Sequence, residues 1–545
     1  MSADSKISKI QIRAQVLQNI LKYKNSSIPS DFEVEGSICE LNKIEDKEFV
    51  ASLLLKEITG SGVTYDNILC LILYNIVPND ILSKEIFSLL SSPNVADAKK
   101  MFLINMLRER GQGVDYNFIQ SCVDNPDEAI DVETKKFLEE AKLSPATLID
   151  FYDFYFTVGQ SDRELLLESI INDYSGDSLA NLLSPFAYFY PETHINKKIL
   201  DALCESKSYF AYLALDFCSK NCTDNELASY AEKQLKKLNF SGLKADKSVA
   251  QIYSQLFENS VPYGFWYSIA DGNSNISCVF ARKRENGSIQ TFFTVFNLEY
   301  GPVSTFGFNE ISKEDFDVVH LRFFKSSLHA RVNLAEGKAI FDALTNRGWK
   351  SGYKIPYEFV CWRLLTYDIE PDNKVFAGII NSKSPQKMIN KNVVYKILNS
   401  DLFSSWFFEY SDLPEFDKLI DNIEQNCILD ISGIETLAKN TSDELITDTG
   451  FRQKFVEKIK FQSFILKNAD MDSTSKIFLT LAGSDELLKE VLEFIIKKSI
   501  YVYFLNKSSC DTSDAKVNIF SAAKKSEKDC DFLKKVVCLI EEKWT

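Results

Sequence analysis

The chain contains few of the residues and motifs from which catalytic and nucleotide sites are usually built. It has three histidines in 545 residues and no Gly-x-Ser-x-Gly sequence of the kind that exposes a catalytic serine. Gly60-Ser-Gly62 and Gly111-Gln-Gly113 lack the third glycine and the following Lys-Ser/Thr of phosphate-binding loops. These absences argue against histidine-dependent catalysis and against a nucleotide site.

Long apolar runs are also missing. The first residues, MSADSKISKIQIRAQ, are polar, and the longest uncharged apolar run lies between Asp66 and Asp80. A membrane-spanning helix needs about 20 apolar residues, so this run is too short. We therefore expect a cytoplasmic protein without a membrane anchor, in which the 12 scattered cysteines are buried free thiols.

The charge is acidic but uneven. The net charge is −15, and residues 246–370 hold 13 Lys and Arg against 14 Asp and Glu, which leaves −14 for the rest. Binding to nucleic acid or to anionic membranes needs clustered positive charge, so both partners are disfavoured. The acidic arms predict a basic or neutral protein partner.

Residues 1–245 show the apolar spacing of consecutive short helices. In the clearest part, six apolar stretches begin 14 to 17 residues apart, so a helix pair recurs about every 31 residues. They begin at Leu148, Arg163, Leu179, Ile195, Tyr209 and Glu226. Ser144-Pro145 is typical of a helix start, and Ser161–Glu164 and Thr223–Glu226 match the capping box.

This stretch resembles HEAT-type helical repeats, best over 145–240 and more loosely over 46–143. Helical repeats followed by an Asp-Gly hairpin module also resemble bacterial repeat proteins. The resemblance implies an α-solenoid that binds other macromolecules, and it implies no reaction.

The middle of the chain has a different texture. Three β-branched and aromatic runs, at 261–270, 276–284 and 288–297, are separated by Asp271-Gly272 and Asn286-Gly287. These dipeptides favour tight hairpin turns, so the pattern predicts a three-stranded antiparallel meander. We expect residues 298–312 to be irregular or to end in a short edge strand. Helices are predicted at 312–319 and 333–346, and 355–368 is either helix or strand.

Residues 371–545 return to helical spacing. The predicted fold is therefore mainly α, in three domains: an α-solenoid at 1–245, a small α+β module with the β-meander at 246–370, and a C-terminal helical domain at 371–545. The boundary between the α+β module and the C-terminal domain is placed at 371–384, a segment that contains Pro, Asn and Ser.

Two motifs resemble metal sites. The loop Asp271–Asn275 offers oxygens at alternate positions, but an EF-hand needs Gly and Glu where Ile276 and Arg282 stand. It is better explained as a hairpin turn. Cys204, Cys218, Cys222 and His194 are a possible zinc set, although buried thiols on repeat helices account for them better. We expect no metal and no cofactor.

Basic and aromatic density in the middle module is the most specific local signal. It can form a pocket for an acidic ligand, or it can be a solvated strand edge, which is the commoner use of such charges. The candidate ligand-binding residues are Arg282, Arg284, His320, Arg322, His329 and Arg331.

The sequence thus predicts a non-catalytic scaffold that binds a protein through a helical-repeat surface. The first alternative is an enzyme or ligand-binding module centred on 261–370. The second is nucleic-acid binding through the same segment, which would depend strongly on salt.

Overall fold

The computed structural model describes residues 9–24, 28–60, 66–189, 193–243, 253, 257–325, 327–385, 389, 391–425 and 431–510. The chain is mainly α, with N-terminal helices, a central antiparallel sheet and C-terminal helices, so the predicted fold class is confirmed. Apolar spacing also predicts helices at 247–257 and 530–544, and these segments lie almost wholly outside the described residues.

The N-terminal region begins with fifteen described helices, and all six helices predicted from Leu148 onward are present. They are α1 Lys9–Lys24, α2 Asp31–Asn42, α3 Lys47–Gly60, α4 Asp66–Ile76, α5 Asn79–Leu90, α6 Asp97–Glu109, α7 Tyr116–Cys122, α8 Pro126–Ala141, α9 Pro145–Thr157, α10 Gln160–Asp173, α11 Gly176–Leu183, α12 Phe186–Phe189, α13 Thr193–Ser206, α14 Tyr209–Asn221 and α15 Asn225–Phe240.

The predicted helix caps are partly wrong. Ser144 caps α9 as expected, since its side chain accepts from the Thr147 amide. The box predicted at Ser161 is wrong because α10 already begins at Gln160. At α15 the cap is Asp224, one residue after the predicted threonine, because its carboxylate reaches two amides. A complete capping box lies instead at Ser30 and Glu33.

Helices α1 to α8 contribute most of one hydrophobic core, which extends from Ile12 to Ala129. Many of their contacts join helices two positions apart, such as α1 with α3, α2 with α4 and α3 with α5. Helical repeats pack in this way, and the assignment to HEAT-type repeats remains a prediction. The start of α2 also reaches the middle of the chain, where the Asp31 amide donates to the Asp315 carboxylate at 3.1 Å.

The sheet has the strand order β4-β3-β2-β1-β5, with every pair antiparallel. Its strands are β1 Ser260–Ser268, β2 Asn275–Arg284, β3 Ile289–Asn297, β4 Gly301–Ile311 and β5 His329–Val332. The predicted meander is therefore confirmed for β1 to β3. Helix α16 (Lys313–Phe324) lies between β4 and β5 in the chain, and α17 (Leu334–Ser351) and α18 (Tyr357–Trp362) follow.

The prediction for residues 298–312 is wrong, because β4 is a full strand of 11 residues. Gly301, Pro302 and Gly307 suggested turns, but an edge strand tolerates proline and glycine. Gly307 is required by the side chain of Trp362, which lies where a Cβ would be. Strand β5 was not predicted, since four residues show too little alternation.

The two sheet faces belong to different cores. The inner face carries Phe265, Phe280 and Phe292, which pack with Phe341 of α17. The outer face carries Val279 and Phe293, and α16 covers it in a smaller separate core. Alternation along each strand explains this division.

The C-terminal region adds seven described helices and two short 3-10 turns. The helices are α19 Val375–Ile380, α20 Lys391–Leu398, α21 Pro414–Gln425, α22 Ile431–Thr447, α23 Thr449–Asn468, α24 Asp472–Leu481 and α25 Asp485–Cys510. Helix α23 packs beside β5, which covers that edge of the sheet.

One continuous core extends from Leu138 to Ile500 and includes α9–α15, the inner sheet face and the C-terminal helices. Within it, the guanidinium of buried Arg363 lies 4.0 Å from the Tyr188 ring and 5.3 Å from the Trp349 ring. This core contains residues from both sides of the domain boundaries predicted at 245 and 370. The three-domain division stays a prediction.

Candidate functional site

Arg282 lies inside the protein and is 0% exposed. Its guanidinium forms a bidentate ion pair with Asp368, in which Nη1 lies 2.6 Å from Oδ1 and Nη2 lies 2.9 Å from Oδ2. It also donates to the Ser260 side chain and carbonyl and to the Leu365 carbonyl, each at 3.0 Å. These bonds occupy all five N–H donors of arginine, so Arg282 has no donor left for a ligand.

Arg284 and Arg322 lie apart from the other candidate residues. Arg284 is partly exposed, 3.4 Å from both the Glu310 carboxylate and the Asn309 side chain. Arg322 is exposed near the end of α16. The two arginines of β2 therefore face the chain's own polar groups, and Arg322 faces solvent.

His320 and His329 come together on the outer sheet face, beside α16. The His329 ring stacks on Phe324 with centroids 4.1 Å apart and an angle of 7°. The His320 ring lies 5.1 Å from Trp266 and 5.2 Å from His329. The hydrogen bond described for these rings joins His329 Nδ1 to the Ser327 carbonyl at 3.2 Å. Covalent catalysis requires a histidine ring to contact the side chain of a nucleophile. The partner here is a backbone carbonyl instead.

Arg331 lies at the rim of the same cluster. Its guanidinium is 5.4 Å from the ring centroids of both Tyr263 and Trp266 and donates to the Tyr263 carbonyl. The structure therefore brings together three of the six candidates: His320, His329 and Arg331. The result is an aromatic surface with the exposed guanidinium of Arg331 at its rim.

Burial, followed by the nearby His329, lowers the pKa of His320 to about 4. Its Nε2 is buried and has no hydrogen-bond partner among the described residues. The ring is thus neutral at pH 7, and protonation would place an unpaired charge among aromatic rings.

We expect His320→Phe to remove part of the acid sensitivity of the protein. The unfolded chain binds the His320 proton more tightly than the folded chain, so stability falls as the pH drops from about 6.5 towards 4. Between pH 7.5 and pH 5 the natural chain should therefore lose about 1–2 kcal/mol more stability than the variant. Thermal unfolding measured from pH 7.5 to 4.5 tests this. His329→Phe removes the smaller cause of the shift and keeps the burial of His320, so it should reduce the pH dependence less than His320→Phe does. An unchanged slope in His320→Phe would contradict the assignment.

A cleft that the sequence did not predict lies between the sheet turns and α23. It consists of two adjoining cavities of about 400 and 510 Å³, which share Ser274, Glu299, Tyr300 and Lys454. Its charges pair across the cleft, with Lys454 Nζ 2.6 Å from the Glu299 carboxylate. Charges of both signs line the walls, so the cleft has no single electrostatic preference.

At the base of this cleft, hydrogen bonds connect the β1–β2 turn to the C-terminal helices. Lys458 Nζ donates to the Gly272 carbonyl at 2.7 Å, and burial lowers the pKa of Lys458 to about 8. The Gln462 side chain bonds both the amide and the carbonyl of Ala270, at 3.0 and 2.6 Å. Trp406 Nε1 donates to the same carbonyl at 2.8 Å.

One sequence signal could have found this contact. Lys454, Lys458 and Gln462 are four residues apart, and the last two interrupt the buried face of α23. Polar residues on a buried helix face need partners, which here are backbone groups of the turn.

The structure also shows the surroundings of the possible zinc set and of the calcium-like loop at Asp271–Asn275. Cys204, Cys218 and Cys222 are reduced thiols outside any disulfide, and Cys204 donates to the Gln234 carbonyl at 3.4 Å. The side chain of His194 lies outside the described residues. Asp271 accepts from the Asn275 amide at 2.8 Å, within a hairpin loop. Across the described residues, no three His, Cys, Asp or Glu side chains converge as a metal site requires.

None of the protein-family models, curated proteins or solved structures compared with this chain matches it. Among the described helices, none combines the length and the apolar content needed to cross a bilayer.

Proposed function

We propose that this chain is a non-catalytic, cytoplasmic scaffold that binds a protein partner through its N-terminal helices, within residues 1–245. The observation that carries the proposal is the combination of packing and exposure in this region. The main contacts among its helices join helices no more than three positions apart, and helices such as α1 and α10 keep part of their surface uncovered.

Large apolar side chains occupy that uncovered surface. Twelve of the twenty large apolar residues that are most exposed in the described chain lie between residues 10 and 240. Phe154 on α9 and Leu165 on α10 are 57% and 64% exposed. Single exposed apolar residues are ordinary, but Phe and Leu side chains that are more than half exposed on consecutive helices favour a binding surface.

The partner test uses the full chain. A photo-crosslinking amino acid placed at Leu165 should capture a partner from the native cell, which is then identified and purified. Leu165→Ser should weaken binding of that purified partner at least tenfold, because an exposed interface leucine loses its buried contact. Val393→Ser and Tyr410→Ser, exposed positions of the C-terminal half, are the matched controls. If the controls weaken binding and Leu165→Ser does not, the binding surface lies elsewhere.

The cleft beside α23 favours a second candidate, a ligand-binding role for the middle module. A ligand there must displace the Lys454–Glu299 pair, so a zwitterion suits the cleft better than a simple anion. The structure gives less support to nucleic-acid binding, since Arg282 is buried and Arg284 pairs with Glu310.

A further inference from the structure

Helix α1 has two apolar faces. Ile12, Val16 and Ile20 are buried against the neighbouring helices. A surface helix normally carries polar residues on the side that faces away from the core. The exposed side of α1 departs from that pattern.

Ile10, Leu17 and Leu21 form an exposed stripe that lies about 120° around α1 from the buried face. They are 82%, 38% and 55% exposed. At 100° per residue these three positions fall within about 40° of one another and extend over about 17 Å of helix, and exposed Ala14 lies about 20° beyond Leu21. This is the pattern of a helix that packs against a second helix.

The charge on α1 is opposite to that of the whole chain. Its 16 residues include Lys9, Arg13, Lys22 and Lys24 and no acidic residue, which leaves −19 for the rest of the protein. Arg13 is exposed beside the stripe, and Lys22, on the other side, lies 3.4 Å from the Glu40 carboxylate of α2. Positive charge therefore lies along one side of the stripe, where Arg13 is about 40° from Leu17, whereas Lys22 is about 100° from Leu21 and is paired with Glu40.

We propose that the outer face of α1 docks an acidic amphipathic helix of a partner protein. Leucine-type side chains of that helix would cover Ile10, Leu17 and Leu21, and its carboxylates on one flank would face Arg13. The inference rests on the proposed scaffold function and specifies one docking site within it, at a basic helix of a chain whose overall acidity favours basic or neutral partners.

Charge complementarity favours this occupant over two others. A second copy that docks through its own α1 would bring two basic helices together, which like charges oppose. An anionic membrane would attract α1, as it does other basic amphipathic helices, but its broad charged surface would also face the acidic remainder of the chain, whereas a single acidic helix would meet α1 alone. Both alternatives have distinct outcomes in the test.

The probe is a labelled peptide of about three heptads, with Leu at positions a and d and Glu at e and g. Its matched control has Lys at e and g. Fluorescence anisotropy with the full chain should show at least tenfold tighter binding of the Glu peptide, and weaker binding at roughly 0.3 M salt. Equal binding of the two peptides would overturn the proposal.

Two variants locate the site. Leu21→Glu should reduce binding of the Glu peptide at least tenfold, whereas Leu321→Glu, an equally exposed position on α16, should not. Arg13→Glu keeps the apolar stripe and should shift the preference towards the Lys peptide. Since these side chains are exposed, circular dichroism and the melting temperature should remain unchanged. If both α1 variants bind like the natural chain, the proposal is wrong.

Separate measurements identify the rival occupants and separate this inference from the scaffold proposal. Sedimentation that shows a dimer lost in Leu21→Glu would identify a second copy, and binding to phosphatidylserine vesicles lost in the same variant would identify a membrane. Either result overturns the proposal. If Leu21→Glu retains the partner captured at Leu165, the scaffold proposal stands and the α1 site fails.

Discussion

Replacement of Arg282 by Met is expected to destabilise the protein by about 3–5 kcal/mol, because it leaves Asp368 as an unpaired buried charge. Asp368 is 11% exposed at its side chain, and both of its oxygens accept from Arg282. The Ser260 hydroxyl and the Leu365 carbonyl lose donors in the same variant. A lower urea midpoint, followed by tryptophan fluorescence, measures the loss.

Arg284→Met is the matched control, two residues further along β2. Its ion pair with Glu310 is long and partly exposed, so its removal should cost less than about 1 kcal/mol. The double variant Arg282→Met with Asp368→Asn should recover part of the loss, because the uncompensated charge is gone. If Arg282→Met has the same urea midpoint as the natural chain, the ion pair makes no net contribution to the free energy of unfolding. The arginine would then be open to another role.

Substitution of Gly272 by Ala is expected to separate the β1–β2 turn from the C-terminal helices. An added Cβ would lie 1.7 Å from the Phe407 carbonyl oxygen, a backbone atom that has no easy way to move. Separation breaks the bond from the Gly272 amide to the Ser405 carbonyl, 2.9 Å, and the bond from Lys458 to the Gly272 carbonyl. Each buried polar group left without a partner costs about 1–3 kcal/mol.

Hydrogen exchange measured by mass spectrometry should show faster exchange around residues 268–275 and 403–408 in Gly272→Ala, together with a lower melting temperature. Gly378→Ala is the matched control, since its Cβ would meet no heavy atom within 4 Å and alanine favours the helix. Natural protection of both segments in Gly272→Ala would show that the turn is not clamped by this contact.

The hydrogen bonds that hold the β1–β2 turn against the C-terminal helices also relate ligand binding in the cleft to stability. The cleft lies directly above Lys458, and its walls come from the sheet turns and from α23. A ligand that binds there would bridge the same two regions and raise the melting temperature. Gly272→Ala should therefore weaken ligand binding and stability together.

Local patterns predicted many of the secondary-structure elements. Helices α9 to α15 and strands β1 to β3 follow apolar spacing of 3.6 and 2 residues, which depends only on near neighbours in the chain. Strand β4 was missed because its Gly and Pro residues resemble turn signals, and their tolerance depends on an edge position that the sequence does not state.

The candidate site was predicted less well. Arg282, Lys283 and Arg284 suggested a basic surface, but Asp368 lies 86 residues away in the chain and draws Arg282 into the core. His320 and His329 are close in sequence, and β5 places them side by side with Trp266. Nothing local shows that Lys458 and Gln462 meet the turn that ends β1.

The sequence by itself determined the helical class, the first three strands, the uneven charge and the two apolar faces of α1, because all of these follow from composition and short-range spacing. Only the tertiary structure decided that α9–α15, the sheet and the C-terminal helices share one core, that Arg282 is internal, and that a cleft opens beside α23. The physical reason is that burial and pairing of charges depend on contacts between residues far apart in the chain, and a single sequence does not encode those contacts in any local pattern.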